Sequence, residues 1–443
     1  MATQARNLAE TVRLEPLHTY WAPATRLAFR FCFVYFGLYC LTNQILLGLL
    51  PISGIDLPDL GRLPPVRPMV FWTAAHIFRS STPLVYQGSG SGDKTFDWVL
   101  LFCLLSIALA ATVLWSMLDR RRPGYTALHK WLHVFLRFAV GSEMVAYGIV
   151  KIIPLQMPFP SLTRLVEPYG NFSPMGVLWY SVGASPGYER FVGSAEMLGG
   201  ILLFVPRTAT LGALVCLADL TEIFLLNMTY DVPVKQFSFH LIVITLILLT
   251  PELQRIACFF LSNREIGPST RPVLFVSPRA NRIAVAVQIL FGLLLIGSNA
   301  LDARRAWYTR GGGAPKSPLY GIWNVEQLST DGTIRPPLLT DNDRWRRVIF
   351  DRPNGVAFQR MDDTFVNYGA TVNTKDGAIT LTKPNDQNSK SNLQFQRRDQ
   401  DRLTLDGEVD GHRLHMDLRL LDRSKLLLVS RGFHWIQEYP FNR

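Results

Sequence analysis

Cysteine is scarce in this chain, and its placement excludes two chemistries at once. The five cysteines, Cys32, Cys40, Cys103, Cys216 and Cys258, all lie in or beside apolar segments, with no C-x-x-C pair and none after residue 258. Neither a disulfide framework nor a cysteine metal centre is indicated, and the residues read as small buried hydrophobes. Charge is scarce too: 18% of the 443 residues are charged, against 48% hydrophobic. That balance excludes an average soluble protein and points to a membrane protein with a second domain attached. Also missing is an A-x-A cleavage site after the first apolar run, which is about as long as a membrane span and is expected to serve as an uncleaved anchor. No inverted repeat and no pair of Gly/Pro-broken spans appears, which disfavours a coupled transporter.

The net charge of +11 raises the question of nucleic acid, and its distribution answers it. Residues 320–443 carry 18 basic and 17 acidic side chains, leaving 27 and 17 to residues 1–319. There the excess sits between apolar segments, as the positive-inside rule expects, and no nucleic-acid face is indicated. The apolar runs predict about seven spans, at 27–50, 96–118, 131–153, 191–205, 211–228, 234–249 and 283–298. The run Asp119-Arg120-Arg121-Arg122 marks the inner side, as do Arg26 and Arg30 before the first span and the arginines of 254–282. The expected topology has the N-terminus inside and everything after the seventh span outside, in a bacterial cytoplasmic (inner) membrane. Within the first outer loop, the stretch around Trp72 and His76 suits a short interfacial helix, and 154–187 suits further short helices at the bilayer surface.

The chain therefore divides into a transmembrane domain over 1–300, a Gly/Pro-rich linker over 301–319, and a β domain over 320–443. In the last part short alternating runs follow one another, and Asp410-Gly411 between two of them is a hairpin signal. The expectation is an antiparallel β sandwich or a lipocalin-like barrel, the latter because Gly321-Ile322-Trp323 opens its first strand. The tail around His434 and Trp435 reads as a packed strand and terminal clamp. His412 and His415 fall on opposite strand faces and give no metal spacing.

Ionisable groups inside the apolar runs are the candidate chemistry, since each is costly at bilayer depth unless partnered. On the third span Arg137, Gly141, Met144, Gly148 and Lys151 form one stripe, whose glycines permit close helix approach. Arg137 and Lys151 lie roughly 21 Å apart along it. Glu143 projects from another face at mid-depth. Glu196 lies on the fourth span; Asp219 and Glu222 are i, i+3 neighbours on the fifth; Gln236 and His240 are i, i+4 on the sixth, with Lys235 above them. Two readings stay open: charges that neutralise one another to pin helix register, or a polar pocket at the centre of a four-helix bundle, open outward.

The runs RFAVGSEMVAYGIVKI (137–152), WYSVGASPGYERFVGSAEMLGGILLFVPRTATLGAL and NMTYDVPVKQFSFHLIVI (227–244) resemble DoxX-like integral membrane proteins, the likeness covering about 127–256. The resemblance implies a four-helix core of the DoxX/DoxD/MauE type, associated in some members with quinone-linked sulfur or thiol oxidation. Its motif positions fall here on Arg137, Gly141, Gly148, Lys151, Glu196, Tyr230, Asp231, Pro233 and Lys235. A more distant likeness is to the membrane domain of vitamin K-dependent carboxylases, where an intramembrane lysine acts as base. The C-terminal RGFHWIQEYPFNR resembles the tail of larger bacterial members with an extra β domain. The paired cysteines that dithiol chemistry requires are absent.

As a quinone-linked membrane oxidoreductase or its membrane subunit, the chain would use Glu196, Asp219, Glu222 and His240 for protons. Arg137, Glu143, Lys151, Tyr230, Asp231 and Lys235 would hold the substrate, with quinone as cofactor and no metal. As a non-enzymatic scaffold, its outer β domain would hold an envelope protein partner or a lipophilic ligand. Either way the lipid bilayer is a partner.

Overall fold

In a computed structural model of the chain, residues 20–442 are described except for residue 56, 263–264, 266–272 and 385. The basic stretch before residue 20, and Arg264 and Arg271 of the expected inner loop, lie outside the described residues. The chain forms two compact units, one of residues 1–152 and 191–302, the other of residues 153–190 and 303–443.

The first unit is helical. Its elements are α1 (Pro23–Thr42), α2 (Gln44–Gly48), α3 (Val66–His76), α4 (Thr95–Leu118) and α5 (Thr126–Ile152). After α6 (Pro174–Gly183), which belongs to the other unit, come α7 (Pro186–Phe204), α8 (Ala209–Thr229), α9 (Lys235–Leu249), α10 (Leu253–Leu261) and α11 (Pro278–Thr309). Among the described residues six stretches are long and apolar enough to cross a membrane: α1, α4, α5, α8, the α9–α10 run Lys235–Leu261, and α11. The expected fourth span forms a helix, α7, that is not among them. Its 19 residues include Glu189, Arg190 and Glu196, a charge load that lowers its apolarity below the others.

Two boundaries depart from the sequence reading for local reasons. The first span, expected to reach residue 50, stops at Thr42 because Asn43 takes an extended conformation and its side-chain oxygen accepts from the Ile45 N–H at 3.0 Å, starting α2. The last helix, expected to end near 298, runs on to Thr309 through residues assigned to the linker, and stops before Gly311, Gly312 and Gly313. The core between α1, α4, α5 and α9 is apolar and aromatic, with Phe36, Cys40, Leu104, Leu136, Val140 and Ile244 buried. In the stretch expected to lie at the interface, α3 forms with Trp72 57% exposed and stacked on His76.

The second unit holds a closed antiparallel barrel. Its strands are β1 (Gly321–Thr330), β3 (Trp345–Phe350), β4 (Gly355–Arg360), β5 (Phe365–Asn373), β6 (Ala378–Lys383), β7 (Asp386–Arg397), β8 (Arg402–Val409) and β9 (His412–Leu420), each paired with the next. β9 returns to β1 and closes the eight-stranded circuit, so no long edge is left open. A two-residue strand, β2 (Thr333–Ile334), extends β1 as a hairpin. Alternation along β8 and β9 sends Leu403, Leu405, Leu414, Met416 and Leu418 inward, as the period of two requires. Asp410 and Gly411 both have positive φ, 55° and 86°, which is what a two-residue hairpin turn between Val409 and His412 needs.

The barrel interior is packed rather than hollow. Trp323, Phe350, Phe358, Ile379, Leu393 and Leu405 are among the side chains that fill it. On one outer face, Leu162 from the 153–190 segment packs with Ile322, Ile349 and Ala357, and Gln359 Nε2 donates to the Val166 carbonyl at 3.3 Å. The segment expected to form short helices at the bilayer surface does form short helices, α6 among them, and is part of the barrel's unit. The tail is a correction: in place of the expected strand, a single helical turn, α12 (Leu427–Ser430), succeeds Leu426, and the residues beyond it are irregular, with Trp435 90% exposed.

Candidate functional site

The polar groups of the helical unit separate into distinct places, and one of them is continuous. On α5, Glu143, Tyr147 and Lys151 are i, i+4 and i+8, so Glu143 and Lys151, expected on different faces, follow one another along one side of the helix through Tyr147. The break at Asn43 turns Gln44 toward that face. Gln44 Nε2 donates to Glu143 Oε2 at 2.7 Å and to the Tyr147 hydroxyl oxygen at 3.1 Å. Gly48, one turn further along α2, makes room: a Cβ there would sit 2.8 Å from Glu143 Oε1. One turn beyond Tyr147, the Lys151 ammonium donates to both Glu196 oxygens, at 2.6 and 2.7 Å, and lies 5.7 Å from the Tyr147 ring centroid. Glu143, Lys151 and Glu196 are all buried.

The glycine stripe explains how α7 reaches Lys151. A Cβ on Gly193 would stand 2.6 Å from both the Gly148 carbonyl and the Lys151 Cβ, and one on Gly200 would stand 2.7 Å from the Gly141 carbonyl. The two helices touch backbone to backbone, a geometry open only to residues without side chains. That contact sets Glu196 against Lys151.

The remaining sequence candidates fall around this chain. Asp219 and Glu222 on α8 lie within electrostatic reach of Lys151, and Asp219 also of Glu196; Asp219 is half-buried and Glu222 exposed. His240 is buried elsewhere, between α9 and α1. Its Nε2 is 2.8 Å from the Tyr35 hydroxyl, its Nδ1 2.6 Å from the Gln236 carbonyl, and its ring stacks on Tyr39 at 4.1 Å. Tyr230 and Asp231 make the turn between α8 and α9, and Lys235 pairs with Asp231 at 2.9 Å on its exposed side. Arg137 is near the other end of α5, where its guanidinium donates to Gln288 of α11.

Beside Gln44 and Tyr147 a cavity of about 260 Å³ opens, lined also by Asp59, Arg62, Lys94 and Asp97. Arg62 pairs with Asp59 at 3.0 Å and Lys94 with Asp97 at 2.9 Å. Asp93 stands next to it, capping the start of α9 by accepting from the Lys235 and Gln236 N–H groups at 2.7 and 3.0 Å. Sequence reasoning missed Gln44, Tyr147 and these loop charges. Tyr147 was within reach, because it shares the i, i+4 register of Glu143 and Lys151; Gln44 was not, because nothing in an apolar run marks where its helix breaks. Among the described residues no group of three or more His, Cys, Asp or Glu side chains is arranged to hold a metal ion.

The barrel has a separate polar cavity of about 440 Å³ at one rim, lined by Arg335, Arg360, Lys383, Tyr368, Asp410 and His412 among others. Asp410 accepts from Lys383 at 2.7 Å and from Tyr368 at 2.9 Å. Burial, reinforced by the carboxylate beside it, pushes the Tyr368 phenol up to about 12. Asp410, Lys383 and Tyr368 thus satisfy one another.

No family model matches the chain, and no solved structure does. It is similar to Xaa-Pro dipeptidase 1 of Idiomarina loihiensis, 29% identical over 104 residues, which are 23% of this chain and 22% of the dipeptidase. That stretch is too small a part of the dipeptidase for its activity to be carried over. It is also similar to the uncharacterized protein YwoB of Bacillus subtilis (strain 168), 32% identical over 123 residues, which are 28% of this chain and 78% of that protein. With most of the shorter relative covered at that identity, the chain belongs to the family of the Bacillus subtilis protein YwoB.

Proposed function

We propose that the helical unit is a DoxX-like membrane domain that binds the carbonyl head of a quinone in the cavity beside Tyr147, as a quinone-linked oxidoreductase or its membrane subunit. The observation that supports this most is the chain Glu143–Gln44–Tyr147 at the cavity wall, one helical turn from the Lys151–Glu196 pair. Because the Tyr147 oxygen accepts from Gln44, its own O–H remains to donate toward a carbonyl in the cavity. The Gln44 amide holds phenol and carboxylate at fixed positions, and Glu143 is linked to Tyr147 through it as a group that could take or return a proton. Lys151 and Glu196 hold opposite charges together behind that wall, supplying a fixed field without a free charge in the apolar core.

A bound quinone would supply the two-electron chemistry, with electrons arriving from a partner or a second substrate. The cavity, just below the roughly 300–1,000 Å³ of ordinary ligand sites, suits a ring-sized head rather than a whole lipid. The membrane is a bacterial cytoplasmic one in this reading, with the N-terminus inside and the barrel outside. The clustering of Arg120, Arg121 and Arg122 at the end of α4 supports that orientation.

The test is saturable binding of a short-chain benzoquinone to the full-length protein in nanodiscs, followed by tryptophan fluorescence. Glu143→Gln and Tyr147→Phe are expected to weaken binding about tenfold, equivalent to ~1.4 kcal/mol, with thermal unfolding changed only by the loss of one hydrogen bond, about 1 kcal/mol. Wild-type protein that shows no saturation, or variants that bind as well as wild type, would sink the reading.

A further inference from the structure

The wall of the cavity beside Tyr147 includes an amide that the fold leaves without an acceptor. Asn43, just past the end of α1, turns one side-chain atom to the Ile45 N–H at 3.0 Å, and since a backbone N–H only donates, that atom is the oxygen. The other atom, Nδ2, is buried and makes no hydrogen bond, and Asn43 lines the cavity. One helical turn earlier on α1, Tyr39 lines the same cavity, with its hydroxyl within reach of the Asn43 amide. A buried donor without an acceptor is costly and rare in folded proteins, so this one calls for an acceptor supplied by a ligand.

The Tyr39 ring is fixed by its stack on the His240 ring, at 4.1 Å and 13°. His240 Nδ1 faces the Gln236 carbonyl at 2.6 Å; a carbonyl only accepts, so Nδ1 carries the hydrogen and Nε2 accepts from the Tyr35 hydroxyl at 2.8 Å. With both nitrogens engaged, His240 positions Tyr39 and has no proton to exchange with the cavity. The donors facing the cavity can then be counted. An amide nitrogen carries two N–H groups, so even with the Tyr39 oxygen taking one of them, the second N–H and the Tyr39 proton stay unmatched, and the Tyr147 proton is a third. A carbonyl oxygen accepts two hydrogen bonds, so three donors ask for a ligand with a second oxygen. Phe96, Leu100 and Phe237 give the cavity an apolar wall against which a ring packs.

We propose that Asn43 and Tyr39 form a second oxygen site in this cavity, holding the far carbonyl of the same quinone ring whose near carbonyl accepts from Tyr147. The proposal deepens the quinone reading and rests on it. Tyr147 on α5 holds one end of a 1,4-dione, and the Asn43 and Tyr39 donors at the end of α1 hold the other. A ring with a single carbonyl fills the same space and leaves the α1 donors unmatched. A site built to hydrogen-bond an oxygen rejects the analogue that lacks it, because its buried donors are then left unpaired.

The experiment titrates the full-length protein in nanodiscs with two compounds, binding being read by calorimetry. One is tetramethyl-1,4-benzoquinone, whose fully substituted ring does not alkylate the chain's free cysteines; the other is isophorone, a ring of similar size with one carbonyl. Wild type is expected to bind the quinone about tenfold more tightly than isophorone. Asn43→Asp keeps an oxygen to cap α2 and removes the donor, while Tyr39→Phe keeps the ring on His240 and removes the hydroxyl. Each is expected to weaken quinone binding about tenfold and to leave isophorone binding within about twofold of wild type. Tyr39→Phe carries the test if Asn43→Asp does not fold. Equal wild-type affinity for the two compounds overturns the second oxygen site. So does saturable quinone binding that falls in Tyr147→Phe yet is unaltered in Tyr39→Phe and Asn43→Asp, a result that leaves the quinone reading standing. No saturable quinone binding in wild type removes that reading and this site with it.

Discussion

The barrel turns its apolar side chains inward and leaves nearly all its charge on the outer face and rims, whereas the helical unit closes its core around Glu143, Lys151 and Glu196. Arg344 is the barrel's exception, 1% exposed, and it donates to the Trp345 and Val325 carbonyls at 2.5 and 3.3 Å. In the barrel, burial of apolar area accounts for the fold and the charges are replaceable. In the helical unit the buried charges add little net stability, since desolvation offsets their attraction. The placement of Glu143 and Lys151 one helical turn to either side of Tyr147, which lines the cavity, therefore asks for a reason other than stability, and the proposed quinone site supplies one.

The sharpest break in this comparison is Lys151→Ala, which strands the Glu196 carboxylate in the core. The expected loss is about 3–5 kcal/mol, while Lys151→Met combined with Glu196→Leu is expected to be neutral or stabilising and to abolish function. Thermal unfolding in detergent separates the two; a double variant as damaged as the single would mean the pair itself holds the fold. In the barrel, Leu405→Ala removes a fully buried side chain from a packed interior and is expected to cost about 2–5 kcal/mol with quinone binding unchanged. A loss of binding in that variant would blur the division of roles.

The smallest effect concerns pH. Asp406 accepts from His415 Nδ1 at 2.5 Å, and this hydrogen bond raises the imidazole above its ordinary value. A raised folded value stabilises below the unfolded one of about 6.5, and that contribution fades as pH rises through the folded value. Both partners are more than a third exposed, so the effect lies within about 0–1 kcal/mol after screening. His415→Gln is expected to flatten the small drop in barrel unfolding temperature between about pH 5.5 and about pH 8.5, measured by circular dichroism. An undiminished drop would place the titration elsewhere.

Much of this was legible in the sequence where the cause is local. Asp410-Gly411 announced its hairpin because both residues tolerate positive φ, and the alternation of Leu403, Leu405, Leu414, Met416 and Leu418 announced a half-buried sheet. The glycine stripe announced a close helix pair, since only a missing side chain allows backbone contact. The tail misled because β propensity expresses packing against a partner strand, and β9 already pairs with β1. The ten polar candidates did not gather at one point, because helix faces alone do not say which neighbour each one meets.

What the sequence determined by itself was a set of periodicities: apolar helices, an alternating β region, and ionisable residues placed where they need partners. Only the tertiary structure decided the partners. Gln44 reaches Glu143 and Tyr147 because Asn43 breaks a helix that composition would have carried on, and Glu196 reaches Lys151 because Gly193 lies on Gly148. Hydrophobic pattern is read from neighbours along the chain, while a buried charge is satisfied by whichever distant group the packing brings within hydrogen-bond range.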